Sequence, residues 1–262
     1  MNGFRILVAD PHPIFRLGLC SLLGSHEGWE VCGEASNGRD AVERCQQLKP
    51  DLLVLDICMR ELNGADAARQ ILKDNPAQRI LVLTGLDSEQ VAQDCLDAGV
   101  RGWVFKSDAI SDLTTAVEAL EGNKFSFSAR VSDLIMDGYL QRQRVASTAA
   151  KASKLSLRER EVLQLVAEGK TSKEIAITLN VTAKTADTHR SNIMLKLRLH
   201  SIAELVLYAV RNEIVHVQHR EVLPFPERET AERKRPLRGL NQEFRRPRLG
   251  PTHGPGADLL CD

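Results

Sequence analysis

No stretch of this chain approaches the roughly 20 consecutive apolar residues that a membrane-crossing helix needs. The N-terminus runs directly into a strand-like segment, Phe4 to Ala9, without the apolar core of a secretion signal. No membrane partner is expected, and a cytoplasmic protein is. The six cysteines (20, 32, 45, 58, 95 and 261) never fall in C-x-x-C spacing, which removes the usual zinc and dithiol motifs. Most lie in apolar-patterned segments, where a small packing residue is expected, and only Cys58 is suspected of exposure. No G-x-G-x-x-G or P-loop follows the first strand, where DPHP stands instead, so a dinucleotide or nucleoside triphosphate site is not expected. A net charge is also missing, with 35 basic and 35 acidic residues.

That balance hides an asymmetry. Residues 1–120 hold 11 Lys/Arg against 18 Asp/Glu, net minus seven, whereas residues 151–212 hold 11 against 6, net plus five. The second segment has the sign that meets a phosphate backbone and the first would repel it. A length of 262 residues suits two modest cores.

From residue 4 to 122, β-rich runs alternate with helical patterns: FRILVA then PIFRLGLCSLL, WEVCGEA then GRDAVERCQQL, DLLVLDI then GADAARQILKD, RILVLTG then SEQVAQDCLDAG, GWVFK then ISDLTTAVEALEG. Near-continuous apolar strands separated by amphipathic helices predict a doubly wound, flavodoxin-like α/β domain with five parallel strands, and sites beyond the carboxyl ends of those strands. Residues 123–152 read as a linker that includes a connecting helix. A second domain over 153–217 opens with helical signals at Ser156, Thr171 and Thr182, the first two with Glu159 and Glu174 three residues on as capping boxes. Short helices with tight joints predict an all-α helix-turn-helix. Residues 218–262 hold six of the ten prolines and little apolar periodicity, and a disordered tail is expected.

The predicted strand ends carry Asp10, Asp56, Thr84 and Lys106. Converging on one rim, such a set supports phosphoryl transfer to a carboxylate: Asp56 as nucleophile, Asp10 as second acid beside a hard divalent ion, Mg²⁺, Lys106 as a point charge on a phosphoryl oxygen and Thr84 as hydroxyl donor. In DPHPIFRLGL, LLVLDICMRELNGADAAR, ILVLTG and AGVRGWVFKSDA, residues 4–122 resemble the receiver domain of bacterial response regulators. The resemblance implies phosphorylation of Asp56 by a sensor histidine kinase. It also implies a metal held by Asp10, Asp56 and the backbone carbonyl of Cys58, and a switch through Thr84 and Trp103.

Three departures stand out. Pro11 occupies the place of a second acidic metal ligand, so Mg²⁺ binding is expected to be weak. Arg60 replaces a usual proline, and Cys58 and Leu86 replace residues that help position an attacking water, from which slow autodephosphorylation is expected. His12 is read as a structural residue of the turn before Pro13.

Within residues 153–215, the run KLSLREREVLQLVAEGKTSKEIAITLNVTAKTADTHRSNIMLKLRLHSIAELVLYAVRNEI resembles the LuxR/NarL-type output domain. Asn180 marks the turn and Thr182 caps the reading helix, on which Ala186, His189, Ile193 and Leu197 are expected to face the core. Lys184, Asp187, Thr188 and Ser191 are expected to face the major groove, and Arg190 either the fold or a phosphate. Leu195 stands where a basic residue is usual, so modest intrinsic affinity is expected. The last helix, from Ile202, is a dimer contact in the family. The two halves together predict a response regulator of the NarL/FixJ type, a non-enzymatic transcription regulator that binds promoter DNA as a homodimer, with contact to RNA polymerase left open. The competing reading, motivated by Pro11, is a degenerate receiver with constitutive DNA binding.

Overall fold

In the computed structural model, residues 3–108, 110–128, 131–133 and 155–215 are described, and all lie in one compact unit spanning Met1–Gln218. The expected tail and most of the expected linker helix lie outside the described residues. The first half alternates β1 (Phe4–Ala9), α1 (Pro13–Gly24), β2 (Trp29–Ala35), α2 (Gly38–Leu48), β3 (Leu52–Leu55), α3 (Gly64–Asp74), β4 (Arg79–Thr84), α4 (Glu89–Ala98), β5 (Gly102–Phe105) and α5 (Ile110–Glu121), followed by a short β6 (Ser126–Phe127). Helix starts follow local chemistry: the side chains of Asn37, Asn63 and Ser88 accept from the backbone N–H three residues on at α2, α3 and α4.

The sheet is wholly parallel with order β2-β1-β3-β4-β5-β6, six strands rather than the five expected. After α5 the chain turns through Asn123, at φ 58°, and lays Ser126 and Phe127 beside Gly102 and Trp103. Two residues are too few to show a strand period, which is why the sequence hides this element. One face packs Leu7, Leu53, Ile80 and Val82 against α2, α3 and α4. The other packs Ile6, Val8, Val54 and Leu81 against α1 and α5. A sheet buried on both faces explains the continuous apolar strands. The order reverses between β1 and β3, so the crevice at their carboxyl ends is the natural site.

The second half comprises α6 (Leu157–Ala167), α7 (Ser172–Leu179), α8 (Ala183–Leu197) and α9 (Ile202–Arg211). Both expected capping boxes form, at Ser156 with Glu159 and at Thr171 with Glu174. Asn180 ends α7 in the left-handed conformation, φ 51°, which Asn tolerates and which sets up the turn into α8. Val162, Leu165, Ile175, Ala186, Ile193, Leu205 and Ala209 form the core.

Candidate phosphoryl site and DNA-reading helix

The residues following β1 and β3 are Asp10 and Asp56, 1% and 2% exposed, and the end of β4 supplies Thr84, fully buried. Lys106 follows β5. Its Nζ lies 2.6 Å from Asp10 Oδ2 and 3.1 Å from Asp56 Oδ2, and 4.6 Å from the centroid of the Phe15 ring. The ammonium thus pairs with both carboxylates at once. Asp56 Oδ1 accepts from the Ile57 N–H at 2.8 Å. Burial raises the Asp56 pKa above the ordinary carboxylate range, Lys106 opposes the rise, and the charge of Asp10 adds to it. Two carboxylates against one ammonium leave a negative site that favours a cation.

Thr84 Oγ1 accepts from the Leu86 N–H at 3.1 Å, tying the strand end to the loop that enters α4. Trp103 is 1% exposed and packs edge-on to Phe105, with ring centroids 6.4 Å apart. Because β6 pairs with β5, Trp103 does not sit on a sheet edge. Cys58 is half-buried, and burial together with the Asp56 charge pushes its thiol up to about 12, so it stays protonated and unreactive at neutral pH. Arg60 points to solvent. His12 stands at the N-cap position of α1 but its side chain makes no cap hydrogen bond. Its Nδ1 instead lies 3.2 Å from Asp10 Oδ1.

On α8, Ala186 and Ile193 are fully buried, while Lys184, Asp187, Thr188 and Ser191 are exposed. His189 and Leu197 are half-buried. Arg190 Nη1 donates to Ser172 Oγ at 3.0 Å, and Ser172 Oγ donates to Asp187 Oδ1 at 2.5 Å, so both charged side chains are tied to the start of α7. Thr188 Oγ1 donates to the Lys184 carbonyl within the helix. Leu195 is 77% exposed on the same helix.

A third set of residues, which sequence reasoning missed, joins the two halves. Gln164 on α6 accepts from the Asn63 N–H at 2.7 Å and donates to the Met59 carbonyl at 3.1 Å. Arg160 Nε lies 3.0 Å from both oxygens of Asp66, which is 1% exposed and also held by Arg69 and Asn63. Glu161 receives Arg39 and Gln70. The Glu61 N–H donates to Glu168 at 3.0 Å, and Ser88, the N-cap of α4, bonds Glu213. The output half thus grips both loops that follow Asp56 and Thr84, 57–64 and 85–88.

Burial raises the Glu168 pKa, while Gln164 and the Glu61 N–H pull it down. A carboxyl with a raised pKa in the closed arrangement takes up a proton on closing. The contact therefore strengthens as pH falls from neutral through that raised value, and weakens above it. Spin-label distances between the two halves should show a larger closed fraction at pH 5.5 than at 7.5. In Glu168→Gln this difference should shrink, and an unchanged pH dependence in that variant would assign the effect elsewhere.

A doubly wound receiver fold with a carboxylate pair and a lysine at its switch point, joined to a helix-turn-helix, defines a phosphoryl-responsive regulator of the two-component class. Residues 6–118 match the response regulator receiver domain, and residues 153–209 match the luxR family of bacterial regulatory proteins. The chain is 33% identical over 211 residues to the response regulator protein VraR of Staphylococcus saprophyticus subsp. saprophyticus, covering 80% of this chain and 98% of that protein. VraR of Staphylococcus aureus matches to the same extent. A solved structure of the Salmonella typhimurium RcsB response regulator, described with conformational dynamism for DNA interaction, is 28% identical with a TM-score of 0.52, covering 79% of this chain and 97% of that one. The chain belongs to the response regulators with a LuxR-type DNA-binding domain, which regulate transcription in two-component systems. No helix among the described residues is long and apolar enough to cross a membrane.

Proposed function

We propose that Asp56 is the phosphoryl acceptor and that its modification loosens the output half from the receiver, permitting dimeric binding to promoter DNA in the cytoplasm. The observation that carries this reading is that Gln164, Glu168 and Glu213 bond the two loops, 57–64 and 85–88, that follow Asp56 and Thr84. A sensor histidine kinase is the donor expected of the family. An Asp56 carboxylate oxygen attacks phosphorus as the donor's P–N bond breaks, leaving an acyl phosphate on Asp56, while the donor's imidazole nitrogen keeps the bonding pair and takes a proton from solvent. Lys106 then turns to a phosphoryl oxygen, and Thr84 donates its hydroxyl to another, which releases the Leu86 N–H and shifts the loop that carries Ser88. Trp103, beside the Thr84 strand on β5, adjusts with it.

Asp10, Asp56 and the Cys58 carbonyl are the groups to hold Mg²⁺, and two buried carboxylates sharing one ammonium fit a further cation, although Pro11 offers no third acid. When bound, such an ion spreads the negative charge of the transferring phosphoryl group. On α8, exposed Lys184, Thr188 and Ser191 are the groove-facing set, while Asp187 and Arg190 act partly through Ser172. The half-exposed apolar Ile202 and Leu207 on α9 favour a homodimer. RNA polymerase is a further partner class for a DNA-bound dimer.

Intact mass after incubation with acetyl phosphate and a divalent cation tests the acceptor. Wild type should gain one phosphoryl group and Asp56→Asn none. A gain retained by the variant, or a lack of gain with every cation tried, would overturn the assignment and favour constitutive DNA binding.

A further inference from the structure

We infer that His12 takes the place of the missing second acid, so that the site binds a first-row divalent transition ion such as Mn²⁺ in preference to Mg²⁺. The inference rests on the reading of Asp10 and Asp56 as a cation site. Asp10, His12 and Asp56 each present one ligand atom, and the three atoms lie within 4.8 Å of one another. The His12 Nδ1 to Asp10 Oδ1 separation, 3.2 Å, is close to the cis edge of an octahedron with bonds of about 2.1–2.2 Å. The other two edges are no longer than 4.8 Å.

Local backbone chemistry places the imidazole there. Pro11 fixes its own φ and has no N–H, so the first N–H after Asp10 is that of His12, which donates to Asp10 Oδ1 at 2.8 Å. This bond folds the turn so that residue 12 leans back over the carboxylate. Pro13 at the first helical turn then starts α1 without needing a side-chain cap. An N-cap position favours Ser, Thr, Asp or Asn, and His12 does not act as a cap here. Its side chain is 52% exposed and reaches the rim from the solvent side, while Asp10 and Asp56 form the buried floor.

The donor types decide the ion. Three oxygen donors of which two are charged suit Mg²⁺, which needs near-ideal octahedral geometry and sheds water reluctantly. Exchanging a carboxylate for a neutral imidazole removes a charge and adds a nitrogen. That exchange weakens the hold on a hard ion and is tolerated by first-row transition ions. The buried carboxylates of Asp10 and Asp56, which share the single ammonium of Lys106, supply the oxygen side of such a mixed site.

The test uses the full-length chain and Mn²⁺ as probe. Titration followed by electron paramagnetic resonance should give Mn²⁺ binding at least tenfold tighter than Mg²⁺ in competition, and pulsed measurements should detect a directly coupled imidazole nitrogen. In His12→Gln the nitrogen coupling should vanish and Mn²⁺ binding weaken by roughly tenfold or more, with Mg²⁺ binding little changed. Pro11→Asp should strengthen Mg²⁺. Mn²⁺ bound without nitrogen coupling, or bound equally by His12→Gln, would overturn the role of His12 while leaving the carboxylate site standing. Mn²⁺ binding that is unaltered in both Asp10→Asn and Asp56→Asn would overturn the site itself, and the inference with it.

Discussion

Replacing Arg160 and Gln164 together by alanine should raise the DNA affinity of the unphosphorylated protein by about tenfold or more. Arg160 supplies a charge-assisted pair to a buried Asp66, and Gln164 satisfies both the Asn63 N–H and the Met59 carbonyl. Charge-assisted bonds contribute about 1.5–3 kcal/mol and neutral ones about 1 kcal/mol. Losing both destabilises the closed arrangement selectively, because in the open one these groups are hydrated. At roughly 1.4 kcal/mol per decade, a loss of about 2 kcal/mol exceeds a tenfold population shift. Phosphorylation should then add little, since the doubly substituted protein is already open. Arg69 remains on Asp66 after the change, so the receiver keeps its fold. A DNA-binding isotherm equal to that of wild type in the unphosphorylated state would show that the contact does not restrain the output half.

Gly64→Ala should destabilise the receiver by about 3 kcal/mol, the upper end of what forced overlap in a packed core typically costs. A Cβ at Gly64 would overlap the Asp56 carbonyl oxygen and stand 2.8 Å from the Ile57 Cα, both backbone groups that cannot rotate away. The same helix start lies under Asn63, so the overlap would push on the loop that holds the acceptor and on the contact with Gln164. Thermal unfolding should show a fall of about 10 °C, given roughly 4 °C per kcal/mol for a domain of about 120 residues. Phosphoryl uptake on Asp56 should fall with it. Gly38→Ala should behave alike, since its Cβ would strike the Leu62 carbonyl of the same loop. A melting temperature within 2 °C of wild type would mean that loop 57–64 is not packed against these helix starts.

Much of this site was legible because its parts obey local rules. Asp10, Asp56, Thr84 and Lys106 each follow or end an apolar strand, and parallel β/α alternation brings such ends to one rim. Ser156 with Glu159 and Thr171 with Glu174 announce their helices by spacing alone. Other parts follow no local rule. The strand at Ser126 and Phe127 is too short to have a period. Glu161 and Gln164 sit among Val162, Leu163, Leu165 and Val166 and read as the solvent face of an amphipathic helix. They are buried, at 6% and 1% exposed, because that face meets the receiver. Periodicity reports which side of a helix is polar, not what the polar side touches. His12 was legible only as a turn residue, because its approach to Asp10 depends on the backbone bond that Pro11 leaves to it. The near-complete burial of polar residues on α6 is the signal that could have revealed the contact, and it exists only in the assembled fold.

If the state of Asp56 controls the grip of the output half, DNA affinity at fixed salt reports it most directly. Wild type, measured with and without acetyl phosphate in the presence of Mn²⁺, should bind promoter DNA at least several-fold more tightly when phosphorylated, whereas Asp56→Asn should stay at the weaker value in both conditions. Equal affinity in all four measurements would contradict the account and make this regulator a constitutive DNA binder.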